Sequence, residues 1–156
     1  MTKTLLKIFF AATVLVSSLS CAQSENESRT VLITGANRGI GLELARQYSA
    51  GGWQVIGTAR LPEKATALSN LDNTRVLQLD VTDQDSVNRF AGDLGDEPID
   101  LLINNAGILP MMNSVPKIDP DVFSNILAVN TVGPVRVTQV VLPNLRQSGI
   151  LPDRCF

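Results

Sequence analysis

The sequence predicts an α/β fold built on a doubly wound parallel sheet, incomplete at its C-terminal end. From Thr30 onward, short apolar runs alternate with stretches of helical periodicity. The connections between them are short, as in right-handed strand–helix–strand units. A glycine-rich turn, Gly35 to Gly41, separates the first strand from the first helix.

Thr30-Val31-Leu32-Ile33-Thr34 reads as a buried strand. Ile40, Leu44 and Tyr48 recur at helical spacing, and Gly51-Gly52 stops that helix. Gln54 to Thr58 is a second strand, Pro62 opens a second helix reaching about Asn70, and Arg75 to Leu79 is a third strand. Thr82 and Asp85 make a capping-box pattern ahead of a third helix. Its buried stripe is Val87, Phe90, Ala91 and Leu94. Ile99 to Asn104 is a continuous apolar strand, as expected where helices cover both faces. Asp119-Pro120 gives an N-cap followed by proline at the first helical position. Phe123, Ile126 and Leu127 then face inward, and the helix continues through a kink at Gly133-Pro134 to about Gln147. Four strands are visible, and a six-strand sheet needs more chain.

The chain of 156 residues supplies one core, not two. A net charge of −2 gives no basic surface for nucleic acid. Histidine is absent, which removes any imidazole base. The two cysteines, Cys21 and Cys155, lie in opposite end segments, so neither a disulfide framework nor a metal site is expected. Residues 1–22 follow another logic. Lys3 and Lys7 precede the apolar run Ile8 to Val16, and small and polar residues follow from Ser17 to Ala22. That is the order of a secretory signal, with cleavage after Ala22. The alternatives are a lipoprotein signal, with Cys21 lipidated, and an uncleaved anchor. Residues 23–28 read as a polar linker and 29–156 as the folded domain.

The glycine turn has the chemistry of a phosphate cradle. Gly35 allows a sharp turn, Gly39 lets a ligand approach bare backbone, and Gly41 lets the helix pack closely on the strand. The helix N-terminus then presents free N–H groups and a partial positive charge. Asp80 ends the third strand, at the sheet edge where such folds bind ligands. Its structural alternative is a carboxylate placed favourably near the next helix N-terminus.

Thr34-Gly35-Ala36-Asn37-Arg38-Gly39-Ile40-Gly41 resembles the glycine signature of the short-chain dehydrogenase/reductase family. Three further segments match in order: Leu79-Asp80-Val81-Thr82, Asn104-Asn105-Ala106-Gly107 and Val129-Asn130. The match spans about residues 29 to 148, and among subgroups it is most similar to the sniffer and C-factor type of carbonyl reductase. The resemblance implies a Rossmann-like domain. It implies that Gly35, Asn37, Arg38, Gly39, Ile40 and Gly41 surround the pyrophosphate and adenosine ribose of a nicotinamide dinucleotide. Asp80 would bond the adenine amino group, beside the backbone of Val81. Asn104, Ala106 and Gly107 would lie near the nicotinamide ribose. Asn130 would hold a water in a proton relay.

Cofactor choice follows from charge. An NAD site places an acid about 20 residues after the glycine loop to bind the ribose 2′-hydroxyl. Here the second strand ends Thr58-Ala59-Arg60, with no acid before Glu63. Arg38 and Arg60 supply the cations that a 2′-phosphate needs, so NADP(H) is expected over NAD(H). Asn130 continues the inward stripe, and a buried amide needs partners. Pro134 withholds the N–H that the residue 130 carbonyl would otherwise receive.

The family's acid–base chemistry uses a serine and a Tyr-x-x-x-Lys pair. Here the only tyrosine is Tyr48, the last lysine is Lys117, and the only serine after Asn130 is Ser148. Pro152 breaks the strand expected near the end. The expectation is therefore a cut-short or incompletely read chain that binds cofactor without normal turnover. The full-length form would act on a small carbonyl or alcohol substrate and could form a homo-oligomer. The alternatives are an inactive dinucleotide-binding module and a product with no function. The N-terminal signal predicts export to the periplasm or a lipid anchor, in conflict with a cytoplasmic NADPH supply.

Overall fold

The computed structural model describes residues 28–109 and 119–149. The signal read over 1–22, most of the linker and the stretch after Gly149 lie outside the described residues. Four strands form one parallel sheet: β1 (Thr30–Ile33), β2 (Gln54–Ala59), β3 (Thr74–Gln78) and β4 (Leu101–Ile103). Their order is β3-β2-β1-β4, with Leu32 opposite both Ile56 and Leu102. The chain steps outward from β1 to β3, then returns to the other side of β1. That reversal opens a crevice at the carboxyl ends of β1 and β4.

Helices cover both faces, because alternate strand residues point to opposite sides. Val31, Ile33, Val55 and Ala59 pack with Ala45 of α1 (Gly39–Ala50) and Leu68 of α2 (Thr66–Ser69). Leu32 and Ile56 pack on the other side with Val87, Phe90 and Leu94 of α3 (Gln84–Leu94), and with Val137 and Val141 of α5 (Gly133–Gln147). Asn144 is buried in α5, and its amide donates to the carbonyls of Gly95 and Glu97 at 2.8 and 2.9 Å. That contact ties α5 to the turn leading into β4.

Several expectations need correction. The second helix is broken: a 3₁₀ turn at Pro62–Lys64 precedes α2, and Ala65 between them leaves helical geometry. The cap of α3 is Asp83, whose carboxylate accepts from the N–H groups of Asp85 and Ser86. Thr82 instead donates its hydroxyl to Asp80. Ile40 is 76% exposed, because the inward face of α1 is set by Gly41 and Ala45. The strand expected over Ile99 to Asn104 is shorter and half-buried, since β4 stands at the sheet edge among the described residues.

The largest departure is α4 (Pro120–Leu127), which buries none of its residues. Phe123 and Leu127 were expected inside, yet they are 45% and 44% exposed. Their periodicity marks an apolar face, but among the described strands and helices α4 has substantial contact only with the helix that continues it. That continuation is a π-helical segment, Ala128–Val132, leading directly into α5. The irregularity falls just before Pro134, whose missing N–H interrupts the regular ladder.

Replacing Phe90 with alanine removes the largest fully buried side chain and should cost about 3–5 kcal/mol. Asp83→Ala should cost about 1 kcal/mol through the lost cap. Denaturant unfolding measures both, and an Asp83→Ala variant as stable as the parent would contradict the assigned cap.

Candidate nucleotide site

The carboxyl ends of all four strands bring the expected site residues to one edge of the sheet. Gly35 follows β1 with φ of 64°, and a Cβ there would lie 2.9 Å from the Ala106 Cα. Only glycine fits both the backbone angle and the close approach. Gly39 also has a positive φ, 60°, but a Cβ there meets nothing within 4 Å. Its outer side is open to an approaching group. Gly41 is buried, and its Cβ would lie 2.4 Å from the Asn105 Nδ2 and 2.7 Å from the Gly35 carbonyl oxygen. Its role is thus close packing against the loop beyond β4, rather than against the strand.

A hydrogen-bond network fixes this join. The buried Thr34 hydroxyl oxygen accepts from the N–H groups of Asn105 and Ala106 at 3.0 and 2.9 Å. The Asn105 side chain returns the tie, donating to the carbonyls of Thr34 and Gly35 at 2.9 and 3.1 Å. Gly35 N–H donates to the Thr58 hydroxyl at 3.2 Å, and Ala36 N–H donates to the Thr58 carbonyl at 2.9 Å. The glycine loop is therefore pinned to both neighbouring strand ends.

Pinning leaves the helix start free. Arg38 is the N-cap of α1, its backbone is extended, and its side chain makes no capping bond. Leu42 is the first residue whose N–H reaches back, to the Arg38 carbonyl. The N–H groups of Gly39, Ile40 and Gly41 thus have no intrahelical partner, at the positive end of the helix dipole. Asn37, Arg38, Gly39 and Ile40 are exposed around this mouth.

Asp80 lies at the end of β3 and is half-buried. Its Oδ1 accepts from the Thr82 N–H at 2.9 Å and from the Thr82 hydroxyl at 2.7 Å. Burial raises its pKa, but those two hydrogen bonds and the nearby Arg60 charge outweigh it and hold the carboxyl below its ordinary value. Oδ2 takes no hydrogen bond among the described residues. Arg60 is exposed at the end of β2, and its charge acts on Asp80. Val81 is 7% exposed and belongs to the core, so only its backbone is available to a ligand.

Beyond β4, Asn104 donates to the Thr138 hydroxyl at 3.2 Å, while Ala106 is half-buried and Gly107 exposed. Asn130 differs from expectation. It is exposed rather than buried, and both ends of its amide are bound: Oδ1 accepts from Ile108 N–H at 2.9 Å and Nδ2 donates to the Ile108 carbonyl at 2.8 Å. The π segment turns its side chain toward that loop. Thr34 and Thr58 were not picked out from sequence as functional, and Asn105 only as part of the motif after the fourth strand. Their signal was a hydroxyl or amide side chain at a strand end, next to a glycine or small residue. Tyr48 lies nine residues along α1 from Gly39, about 14 Å away. It packs edge-on against Trp53, with ring centroids 5.0 Å apart.

The chain is similar to known proteins over most of its length. The family model described as short chain dehydrogenase matches residues 29–150. Serine 3-dehydrogenase of Agrobacterium fabrum is 35% identical over 129 residues, covering 80% of this chain and 52% of that protein. NADPH-dependent pterin aldehyde reductase of Arabidopsis thaliana is 33% identical over 138 residues, covering 83% and 57%. The structure of the protein described as carbonyl reductase Sniffer of Caenorhabditis elegans superposes with a TM-score of 0.70 at 38% identity, covering 78% and 55%. The chain spans about half the length of the curated relatives it matches.

Thr34→Val should leave two donors, the N–H groups of Asn105 and Ala106, without their acceptor and cost about 1–3 kcal/mol for each one left unsatisfied. Urea unfolding would show it, and an unchanged midpoint would contradict the pin. Because Asp80 has a lowered pKa when folded, its contribution is present above the unfolded pKa. It is lost as pH falls through the folded pKa. Thermal unfolding across the acid range should therefore be less pH-dependent in Asp80→Asn than in the parent.

Proposed function

This chain belongs to the short-chain dehydrogenase family, and on that premise we propose that it is the cofactor-holding portion of an NADP(H)-dependent oxidoreductase. The observation that carries the proposal is the uncapped start of α1. Three successive amides there lack intrahelical partners, the space beside Gly39 is open, and the loop that presents them is pinned on both sides. A diphosphate satisfies those amides and meets the dipole.

The remaining roles follow from position. Gly35, Asn37, Arg38, Gly39, Ile40 and Gly41 would surround the pyrophosphate and adenosine ribose. Asp80 would accept from the adenine amino group through Oδ2, beside the Val81 backbone. Asn104, Ala106 and Gly107 would line the nicotinamide ribose, with Asn130 fixing that loop through Ile108. When bound, the nicotinamide ring supplies hydride exchange with a carbonyl or alcohol substrate. This chain's own residues bind and orient; the sequence contains no Tyr-x-x-x-Lys pair to move the substrate proton.

NADP(H) is favoured over NAD(H) on charge. The segment after β2 offers Arg60 and no acid before Glu63, and Arg38 stands exposed at the mouth of the loop. Two guanidinium groups complement a 2′-phosphate. The NADPH-dependent relative from Arabidopsis thaliana supports the same preference. A second reading, a dinucleotide-binding module without turnover, is favoured by Tyr48. The only tyrosine is committed to Trp53 away from the nucleotide edge. Export through residues 1–22 remains part of the proposal.

Fluorescence titration tests the cofactor assignment. NADPH should bind more tightly than NADH, and Arg60→Asp should weaken NADPH by about tenfold or more, equivalent to ~1.4 kcal/mol. Tighter binding of NADH, or no effect of Arg60→Asp, would overturn the NADP(H) preference.

A further inference from the structure

We propose that Arg136 is a positioning residue for the adenine end of the nucleotide site, acting from α5 through the loop that carries Asp80. The inference rests on the dinucleotide-binding proposal above. The helix running from the π segment into α5 touches two loops at the carboxyl edge of the sheet, those after β4 and β3. Asn130 holds the loop after β4 by two bonds to Ile108, and Thr138 accepts from Asn104 in the same loop. Between them, the helix leans on the loop after β3. A Cβ at Gly133 would lie 2.7 Å from the Val81 Cγ2, so the backbone of the helix rests directly on Val81.

Arg136, one turn further, completes that contact. Its half-buried guanidinium donates through Nη1 to the Thr82 carbonyl at 2.9 Å and, more weakly, to the Val81 carbonyl at 3.4 Å. The same short segment is also held by Asp80, whose Oδ1 takes the Thr82 N–H and hydroxyl. Asp80 therefore fixes the donors of Thr82, and Arg136 fixes its carbonyl. With Thr82 held at both its N–H and its carbonyl, the Asp80 carboxylate has one orientation, and its second oxygen stays aimed away from Thr82. Without Arg136, the segment rotates about Asp80, and that oxygen loses its fixed direction. An arginine suits this role because the two N–H groups of one Nη1 reach two successive carbonyls on a side chain that stays charged.

A purely structural role would lower stability and weaken every ligand alike. A positioning role is selective by end. The test uses two half-cofactor probes on the full chain: 2′,5′-ADP by calorimetry, and reduced nicotinamide mononucleotide by fluorescence. Arg136→Gln should weaken 2′,5′-ADP about tenfold and change reduced nicotinamide mononucleotide less than twofold. Arg136→Lys keeps the charge and one bond, and should recover 2′,5′-ADP binding to within about threefold of the parent. Circular dichroism identifies a variant that has lost its fold; Arg136→Lys then carries the test, with the same selective loss expected at smaller size. Parent-like 2′,5′-ADP binding by Arg136→Gln, or equal weakening of both probes in a folded variant, would overturn the role of Arg136 alone. A parent chain that takes up neither probe would overturn the dinucleotide site and this inference with it.

Discussion

Thr34 and Asn105 hold two strand ends together, and the proposed nucleotide crevice lies across that join. In a doubly wound sheet, the loops after β1 and β4 diverge at the point where the strand order reverses. Left to themselves, they would move independently. Here a buried hydroxyl takes two amide donors from one loop, and an amide side chain returns two bonds to the other. The join is tight enough that Gly35 and Gly41 admit no Cβ without displacing Ala106 or Asn105. Glycine in this loop is thus demanded twice, by backbone angle at Gly35 and by packing at Gly41, before any ligand is considered. Gly39 is the exception. Its positive φ is local, and the space beside it is empty.

The opposite wall of the crevice belongs to one continuous helix. From Pro120 to Gln147 it changes character along its length: exposed in α4, π-helical at Asn130, and core-bound in α5. Length and composition alone would let it cross a membrane, yet Val137, Val141 and Asn144 commit its second half to the sheet. The π segment gives this helix its place at the site. It sends the Asn130 amide to the backbone of Ile108 and delivers the helix, at Gly133, onto Val81. Two loops from two strands are therefore referenced to a single rigid element.

Much of the fold was legible because its signals are local. The four strands, the glycine turn and the stripe of α3 follow from runs and periods that a sequence displays directly. The failures share a physical cause. Ile40 fell outside the buried face because glycine and alanine, invisible to a search for large apolar residues, set the contact face of α1. Phe123 and Leu127 carry a helical apolar pattern, but pattern does not supply a partner surface. Asn130 was expected inside for the same reason, and the π segment redirected it. Site residues carried by motif all arrived at one edge of the sheet. The residues that hold them there, Thr34, Thr58, Asn105 and Arg136, depend on contacts across 23 to 72 positions, which no local signal reports.

The central claim concerns three N–H groups, so amide resonances test it most directly. In a ¹⁵N-labelled sample titrated with NADPH, the signals of Gly39, Ile40 and Gly41 should move together with saturation, shifted downfield by hydrogen bonds to phosphate. Saturable binding with those three amides unmoved would contradict the cradle.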